Sequence, residues 1–291
     1  MMSINVAFIG LGAMGFPMAG HLSNADFNTT VYNRTKSKAA KWVKDYPDGS
    51  LRETPRLAAI DANVVLLCVG NDDDVRSVVY GENGVLAGMS PGAILIDHTT
   101  TSAELARELA KAANDLGIQF LDAPVSGGQA GAENGKLTVM LGGDQDTYDA
   151  VISLLNCYSQ KHQLMGLNGS GQLTKMVNQI CIAGIVQGLS EALHFAGKAG
   201  LEPTEVIDVI SKGAAQSWQM ENRSSTMIKG DFDFGFAVDW MRKDLGIVLS
   251  EAKTNGANLP ITALVDQFYG QVQANGGGRF DTSSLITLLN K

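Results

Sequence analysis

Apolar residues recur along the chain in two different rhythms, and the change between them divides it. Short apolar runs at 4–9, 29–33, 63–69, 93–97, 118–121 and 137–141 punctuate the first half, with turn and helix signals between them. A continuous run such as Asn63-Val64-Val65-Leu66-Leu67-Cys68-Val69 suits a strand covered on both faces, so the alternation predicts a parallel, doubly wound sheet. In the second half, 204–212, 243–254 and 261–274 all carry helical spacing. Between the halves, 172–198 places Leu173, Met176, Val177, Ile180, Ile182, Ile185, Val186, Leu189, Leu193 and Phe195 around most of one helix. Such a helix is normally buried, and at ~1.5 Å per residue it would run roughly 40 Å. The expected fold class is therefore α/β: a doubly wound sheet domain over 1–165, then an all-α domain over 166–291 that begins with the long interdomain helix.

Composition adds exclusions. The chain has 291 residues, enough for two domains, and 45% hydrophobic with 18% charged residues is ordinary for a soluble protein. A net charge of −8 argues against nucleic acid or an anionic membrane as general partners, while leaving room for a local basic pocket. Cys68, Cys157 and Cys181 lie in apolar segments without CxxC spacing. That pattern points to unpaired, buried thiols in a reducing cytoplasm, and the absence of Cys/His ligand spacing predicts no metal. The chain enters its first strand without a basic leader, so no targeting segment is expected. Lys175, Asn178, Gln179 and Gln187 interrupt the long helix, which argues against a membrane span.

The chemistry-bearing signals sit at predicted strand ends. Gly10-Leu11-Gly12-Ala13-Met14-Gly15 follows the first strand and opens a helix ending near Ser23, with a second strand after it. In that order the glycines permit a tight turn and close approach of backbone N–H groups to a dinucleotide pyrophosphate. At the end of the second strand stand Asn33, Arg34 and Thr35, followed by Lys36 and Lys38, with no acidic residue. A guanidinium can grip a 2′-phosphate, so NADP(H) is favoured, with NAD(H) possible. Thr35 is also placed to cap the next helix. The acidic run after Gly70 reads as structural, with Asn71 or an aspartate capping a helix. Thr99, Thr100 and Thr101 could cap the helix beginning near Ser102 or touch a nicotinamide ribose, and His98 reads as a non-catalytic loop residue without a visible partner.

Two further stretches leave alternatives open. In Asp122-Ala123-Pro124-Val125-Ser126-Gly127-Gly128, the Ser126 hydroxyl and successive glycine N–H groups could form a nest for a carboxylate, or could simply turn the chain toward 137–141. Lys175 and Asn178 share one face at the start of the long helix. Lys175 either snorkels to the surface from a frayed first turn or sits where its charge is used. Phe232, Phe234, Trp218 and Trp240 read as core or interface residues, and Lys243-Asp244 as a possible exposed charge pair.

Taken together, the motifs resemble those of the β-hydroxyacid dehydrogenase family, which includes 3-hydroxyisobutyrate dehydrogenases, tartronate semialdehyde reductases and glyoxylate/succinic semialdehyde reductases. Four carry the likeness, in family order over nearly the whole chain: Gly10 to Gly15 with Pro17-Met18, Asp122 to Gly128, Gly169-Ser170-Gly171 with Lys175 and Asn178, and Lys243-Asp244-Leu245. The resemblance implies a Rossmann-type domain, a long interdomain helix and a helical domain that associates into homodimers or homotetramers. It implies Lys175 as the catalytic lysine and Ser126, Gly127, Gly128 and Asn178 as ligands of a carboxylate-bearing substrate. Val69, Gly70, Asp74, Thr100 and Lys243 match cofactor-contacting positions, and Asn33-Arg34-Thr35 is similar to the NADPH-using reductases. Phe234 stands where the family often has proline. Imine reductases share the architecture but commonly lack a lysine at the place of Lys175, and a non-catalytic NADP-binding sensor or scaffold is the other rival reading.

Overall fold

The computed structural model describes residues 4–289; the outermost ends of the two expected domains, 1–3 and 290–291, lie outside the described residues. Two compact units emerge, Met1–Lys175 and Met176–Lys291. The first opens with β1 (Asn5–Ile9), α1 (Gly15–Asn24), β2 (Asn28–Tyr32), α2 (Lys36–Asp45), β3 (Ser50–Leu51) and α3 (Pro55–Ala59). It continues with β4 (Val64–Leu67), α4 (Asp72–Val79), β5 (Ile94–Asp97), α5 (Ala103–Asn114) and β6 (Gln119–Asp122). Its six strands run parallel in the order β3-β2-β1-β4-β5-β6, so the winding reverses between β1 and β4. Open α/β sheets bind ligands outside the carboxyl ends of their strands at such a reversal.

The period-two alternation of β1 explains why the sheet is covered twice. Val6 and Phe8 enter one apolar layer with Met18, Leu22 and Trp42. Ala7 and Ile9 enter the other, with Leu105, Leu109 and Val75. After β6 the chain builds a second sheet from β7 (Val125–Ser126), β8 (Leu137–Leu141) and β9 (Ser159–Leu164), with α6 (Gly128–Glu133) and α7 (Gln145–Tyr158) between them. Apolar runs alone do not reveal β3 or β9, because Ser50–Leu51 is two residues long and Ser159–Leu164 reads SQKHQL.

Helix α8 (Ser170–Lys198) begins in the first unit and continues into the second. The second unit adds α9 (Pro203–Ile210), α10 (Trp218–Lys229), α11 (Val238–Asn255), α12 (Pro260–Ala274) and a closing 3-10 segment, Thr282–Leu288. Helix α11 starts five residues before the expected 243, so Asp239, Trp240 and Met241 lie in its first turn. Helix α10 escapes apolar periodicity because it is mostly polar; Ser217 caps it by accepting from the Met220 N–H.

Two expectations need correction. Helix α8 is apolar nearly all round but not buried all round: Ala183, Val186, Leu189 and Leu193 are buried, whereas Val177 is 60% and Phe195 70% exposed. The cysteines are free but not buried; Cys68 and Cys157 are half-buried and Cys181 is exposed. Of the aromatic residues expected in the core or at an interface, Phe232 enters the core, and Trp218 and Trp240 are exposed. Helix α8 has the length and apolar composition of a membrane span. It nevertheless buries Gln172, Lys175, Gln179 and Ser190 within protein, as the core helix of a globular domain does.

Candidate active site

The three glycines after β1 divide their work as a dinucleotide turn requires. Gly10 has φ +101°, and a β-carbon there would collide with the Cys68 carbonyl; one at Gly15 would collide with the Gly10 carbonyl and the Phe8 ring. A β-carbon at Gly12 would meet nothing within 4 Å, so this glycine faces open space beside the start of α1. No side chain caps α1 at Met14; with the Phe16 N–H donating to the Gly12 carbonyl at 3.1 Å and Pro17 lacking an N–H, the Gly15 N–H is the first-turn donor left for an external anion among the described residues. Leu11 is buried, while Gly12 and Ala13 are exposed.

Asn33 holds this turn in place. Its Oδ1 accepts from the Leu11 N–H at 2.8 Å and its Nδ2 donates to the Thr35 carbonyl at 3.0 Å. Arg34 is 85% exposed and pairs with Asp74 at 3.2 Å, which brings together two of the expected cofactor residues. Thr35 occupies the cap position of α2 without bonding through its hydroxyl, contrary to expectation. Lys36 pairs with Glu53 and lines a surface cavity with Tyr32, Asn33, Arg34 and Arg52.

At the ends of β4 and β5 the loops are cross-tied. Asn71 caps α4 through the Asp74 N–H at 2.8 Å, as anticipated. The Thr99 hydroxyl accepts from the Val69 N–H at 3.1 Å. Ser102, and not one of the preceding threonines, caps α5, and its own hydroxyl donates to Asp72 at 2.6 Å. Gly70 and Thr100 are half-buried. His98 does have partners: Nδ1–H donates to the Ala123 carbonyl at 2.7 Å, and Nε2 accepts from the Tyr158 hydroxyl at 3.0 Å. Burial pushes its pKa down to about 4, so the ring is neutral at pH 7 and serves as a core tie.

The second glycine stretch follows β6. Ser126 ends β7, and Gly127 and Gly128 have φ values of +129° and +62° that only glycine adopts easily. Both glycines are exposed, and a β-carbon at Gly128 would meet nothing within 4 Å. At the head of this stretch Asp122 is fully buried and caps α8: its carboxylate accepts from the Gly169 N–H at 2.7 Å and the Gln172 N–H at 3.0 Å. Burial raises its pKa, against the lowering effect of the backbone hydrogen bonds, to a net value of about 6. Its neighbour across the sheet, Asp97, rises further, to about 7, mainly through burial and despite hydrogen bonds from Thr99.

Lys175 follows one turn later and is 7% exposed, so the frayed, snorkelling alternative does not hold. Gly171 does not make room for a ligand as its place before the lysine suggests. A β-carbon there would stand 2.5 Å from the Met140 carbonyl and 2.7 Å from the Asp122 carbonyl, so the glycine lets α8 press onto the sheet edge. In the second unit, Asn178 donates to the Gln179 side chain at 2.8 Å, and Gln179 donates to Asp244 at 2.7 Å. Lys243 contacts Asp244 at 3.1 Å and lies over the Trp240 ring. Asp244 is 2% exposed, so Lys243-Asp244 is no plain surface pair. Among the described residues, no group of three or more His, Cys, Asp and Glu is arranged to hold a metal.

Comparison with known proteins places this geometry in context. A family model for the NAD binding domain of 6-phosphogluconate dehydrogenase matches residues 5–166. A second, for the NAD-binding region of NADP-dependent 3-hydroxyisobutyrate dehydrogenase, matches 169–289. An oxidoreductase from Shewanella frigidimarina is 63% identical over 286 residues, 98% of each chain. The 2-hydroxy-3-oxopropionate reductase of Escherichia coli is 36% identical, covering 98% of this chain and 97% of its own. Among solved structures, Mycobacterium tuberculosis 3-hydroxyisobutyrate dehydrogenase with L-serine superposes with a TM-score of 0.90 at 29% identity, over 100% of both chains.

Proposed function

Because the chain belongs to the β-hydroxyacid dehydrogenase family, whose members are NAD(P)-dependent oxidoreductases, we propose that it moves a hydride between NADP(H) and a small β-hydroxyacid or aldehyde acid. Lys175 is the proton donor in reduction and the acceptor in oxidation. The observation that carries this reading is the burial of Lys175 in the turn that follows the Asp122 cap. Burial holds the amine in one place, as proton transfer by a positioned side chain requires. The bound nicotinamide supplies or receives the hydride.

The residues of the chain do the remaining work. Ser126 and the N–H groups of Gly127 and Gly128 hold the substrate carboxylate, and Asn178 assists by family likeness. Fixing the carboxylate orients the carbonyl carbon, which accounts for much of the rate in such transfers. As negative charge grows on the carbonyl oxygen, Lys175 Nζ stabilises it and delivers the proton. The turn from Gly10 through Leu11, Gly12, Ala13 and Met14 to Gly15 takes the pyrophosphate, while Val69, Gly70, Asp74, Thr100 and Lys243 are assigned to the cofactor by the same likeness. The substrate class comprises glyoxylate, succinic, methylmalonate and tartronate semialdehydes and their hydroxyacids, with a β-hydroxy amino acid such as serine included.

Preference for NADP(H) rests on Arg34, with Asn33 as the brace of the turn and Thr35 beside it. The guanidinium is exposed and paired with Asp74 at the surface, so a 2′-phosphate can draw it away from the carboxylate. Removing it in Arg34→Ala should weaken NADPH binding about ten-fold, the equivalent of one charge-assisted contact, and leave NADH unchanged. Fluorescence titration with both nucleotides checks this, and an unchanged NADPH/NADH ratio contradicts it.

The protein acts in the cytoplasm as a homo-oligomer. Helix α8 carries an exposed stripe of Val177, Cys181, Ile185, Gly188 and Phe195 that a second copy would cover. Light scattering should return at least twice the chain mass of 30.8 kDa; a monomer at micromolar concentration contradicts this assignment.

The activity itself is tested by an NADPH-oxidation screen over small aldehyde acids, run with wild type and Lys175→Ala. Wild type should turn over at least one of them. The variant should bind NADPH normally and lose turnover by two or more orders of magnitude, in the range expected for loss of a general acid.

A further inference from the structure

Outside the groups assigned to substrate and cofactor lies a buried polar network that no proposed chemical step consumes. Gln172 is 1% exposed and uses both ends of its side chain. Its Nε2 donates to the Thr99 carbonyl at 2.8 Å, and its Oε1 accepts from the Thr101 N–H at 3.1 Å. These are the two neighbours of Thr100, so one amide grips the loop on either side of the residue assigned to the cofactor. The backbone N–H of the same Gln172 is held by Asp122, whose strand leads four residues later to Ser126. Three residues beyond Gln172, on the same side of the helix, stands Lys175.

Packing leaves this arrangement little freedom. A β-carbon at Gly142 would come within 2.5 Å of Asp122 Oδ1, and one at Gly171 within 2.8 Å of Oδ2. Two glycines thus let the sheet edge and the helix close around one carboxylate. The Gly169 N–H completes the grip at 2.7 Å.

We infer that Gln172 and Asp122 are positioning residues for hydride transfer: the amide and the carboxylate fix the helical turn bearing Lys175 in register with the Thr99–Thr101 loop and with the Ser126–Gly128 turn. This inference rests on the proposed role of Lys175. The three parts come from separate loops, and no shared peptide segment sets their spacing. A displacement of about 1 Å between reacting groups can lower a rate by about a hundred-fold. One side chain bonded to both loop and helix removes that slack without touching substrate.

The test is Gln172→Met, which keeps the length of the side chain and removes both polar ends. Gln172→Glu accompanies it, keeping the acceptor for Thr101 while facing the Thr99 carbonyl with an oxygen. The expected result for Gln172→Met is a kcat ten- to hundred-fold lower at saturating substrate, with the NADPH dissociation constant changed less than three-fold. The primary isotope effect on kcat with NADPH deuterated at the transferred position should rise, because misplacement makes hydride transfer the slow step. Gln172→Glu should lose at least as much kcat as Gln172→Met, because it sets an acceptor against the Thr99 carbonyl in a buried place. If Gln172→Met does not fold, Asp122→Asn is measured by the same readouts, with the same expectation. An unchanged kcat and isotope effect overturn the inference; so does a lowered melting temperature with kcat per folded molecule retained. Lys175→Ala separates this failure from that of the underlying reading. If Lys175→Ala is inactive while Gln172→Met behaves as wild type, the positioning role alone is lost; if Lys175→Ala turns over normally, the reading of the site is lost with it.

Discussion

Two helix N-termini in the first unit meet the ends of strands, and they are finished in opposite ways. At α1 no side chain caps the helix, and Gly12 opens onto free space. At α8 the same positive end is filled by the Asp122 carboxylate, and Gly171 is pressed against backbone. Both starts are rich in glycine, and both could in principle hold an anion. One is left for a ligand from solution, and the other is closed by an anion the chain supplies itself. The open end has room for an anion; the closed end has none to spare. A glycine-rich helix start therefore does not announce a binding site until the direction in which the absent side chain would point is known.

That contrast can be broken by paired substitutions. Gly171→Ala should destabilise the protein by about 1–3 kcal/mol, the usual range for overpacking a close contact, whereas Gly12→Ala should stay within about 0.5 kcal/mol of wild type. In NADPH titrations the order should reverse, with Gly12→Ala several-fold weaker and the folded fraction of Gly171→Ala near wild type. Denaturant melts and fluorescence titrations on both variants check the pair; equal stability losses would erase the distinction between open and closed ends.

A pH-dependent effect sharpens the closed end. Asp97, beside Asp122 on the neighbouring strand, has an ordinary pKa of 3.8 and one of about 7 in the fold. The folded chain thus holds this proton more tightly than the unfolded chain. Its contribution to stability is fully present below about pH 4 and is lost as pH rises through about 7. Asp97→Asn should therefore gain on wild type in melting temperature as pH is raised from 4 to 8. A difference between the two that does not change with pH contradicts this.

The legible parts of the molecule were those whose reasons are local. The βαβ start, the alternation of strands and helices in the sheet domain and the long helix follow from runs, periods and glycines within a few residues of one another. Asn71 announced its cap by standing just before the helix it closes. Gln172 gave no such signal, because its partners Thr99 and Thr101 lie 73 and 71 residues away. Asp122 was visible as part of a motif, but its task is performed on backbone 47 and 50 residues later. Arg34 was read for a phosphate, and its resting partner, Asp74, is 40 residues on. Burial misled in a different way: apolarity around α8 speaks of what the helix can cover, and the rest of the chain covers only part of it. His98 shows the same limit, since a histidine without a nearby partner in sequence turned out to be bonded at both ring nitrogens.

The central claim concerns the proton that Lys175 supplies, and single-turnover kinetics tests it most directly. Lys175→Met, loaded with NADPH and mixed with the best aldehyde acid from the screen, should oxidise the cofactor in one turnover at least a hundred-fold more slowly than wild type, the lower range for a lost general acid. Its NADPH dissociation constant should be unchanged. A single-turnover rate equal to wild type would contradict the account.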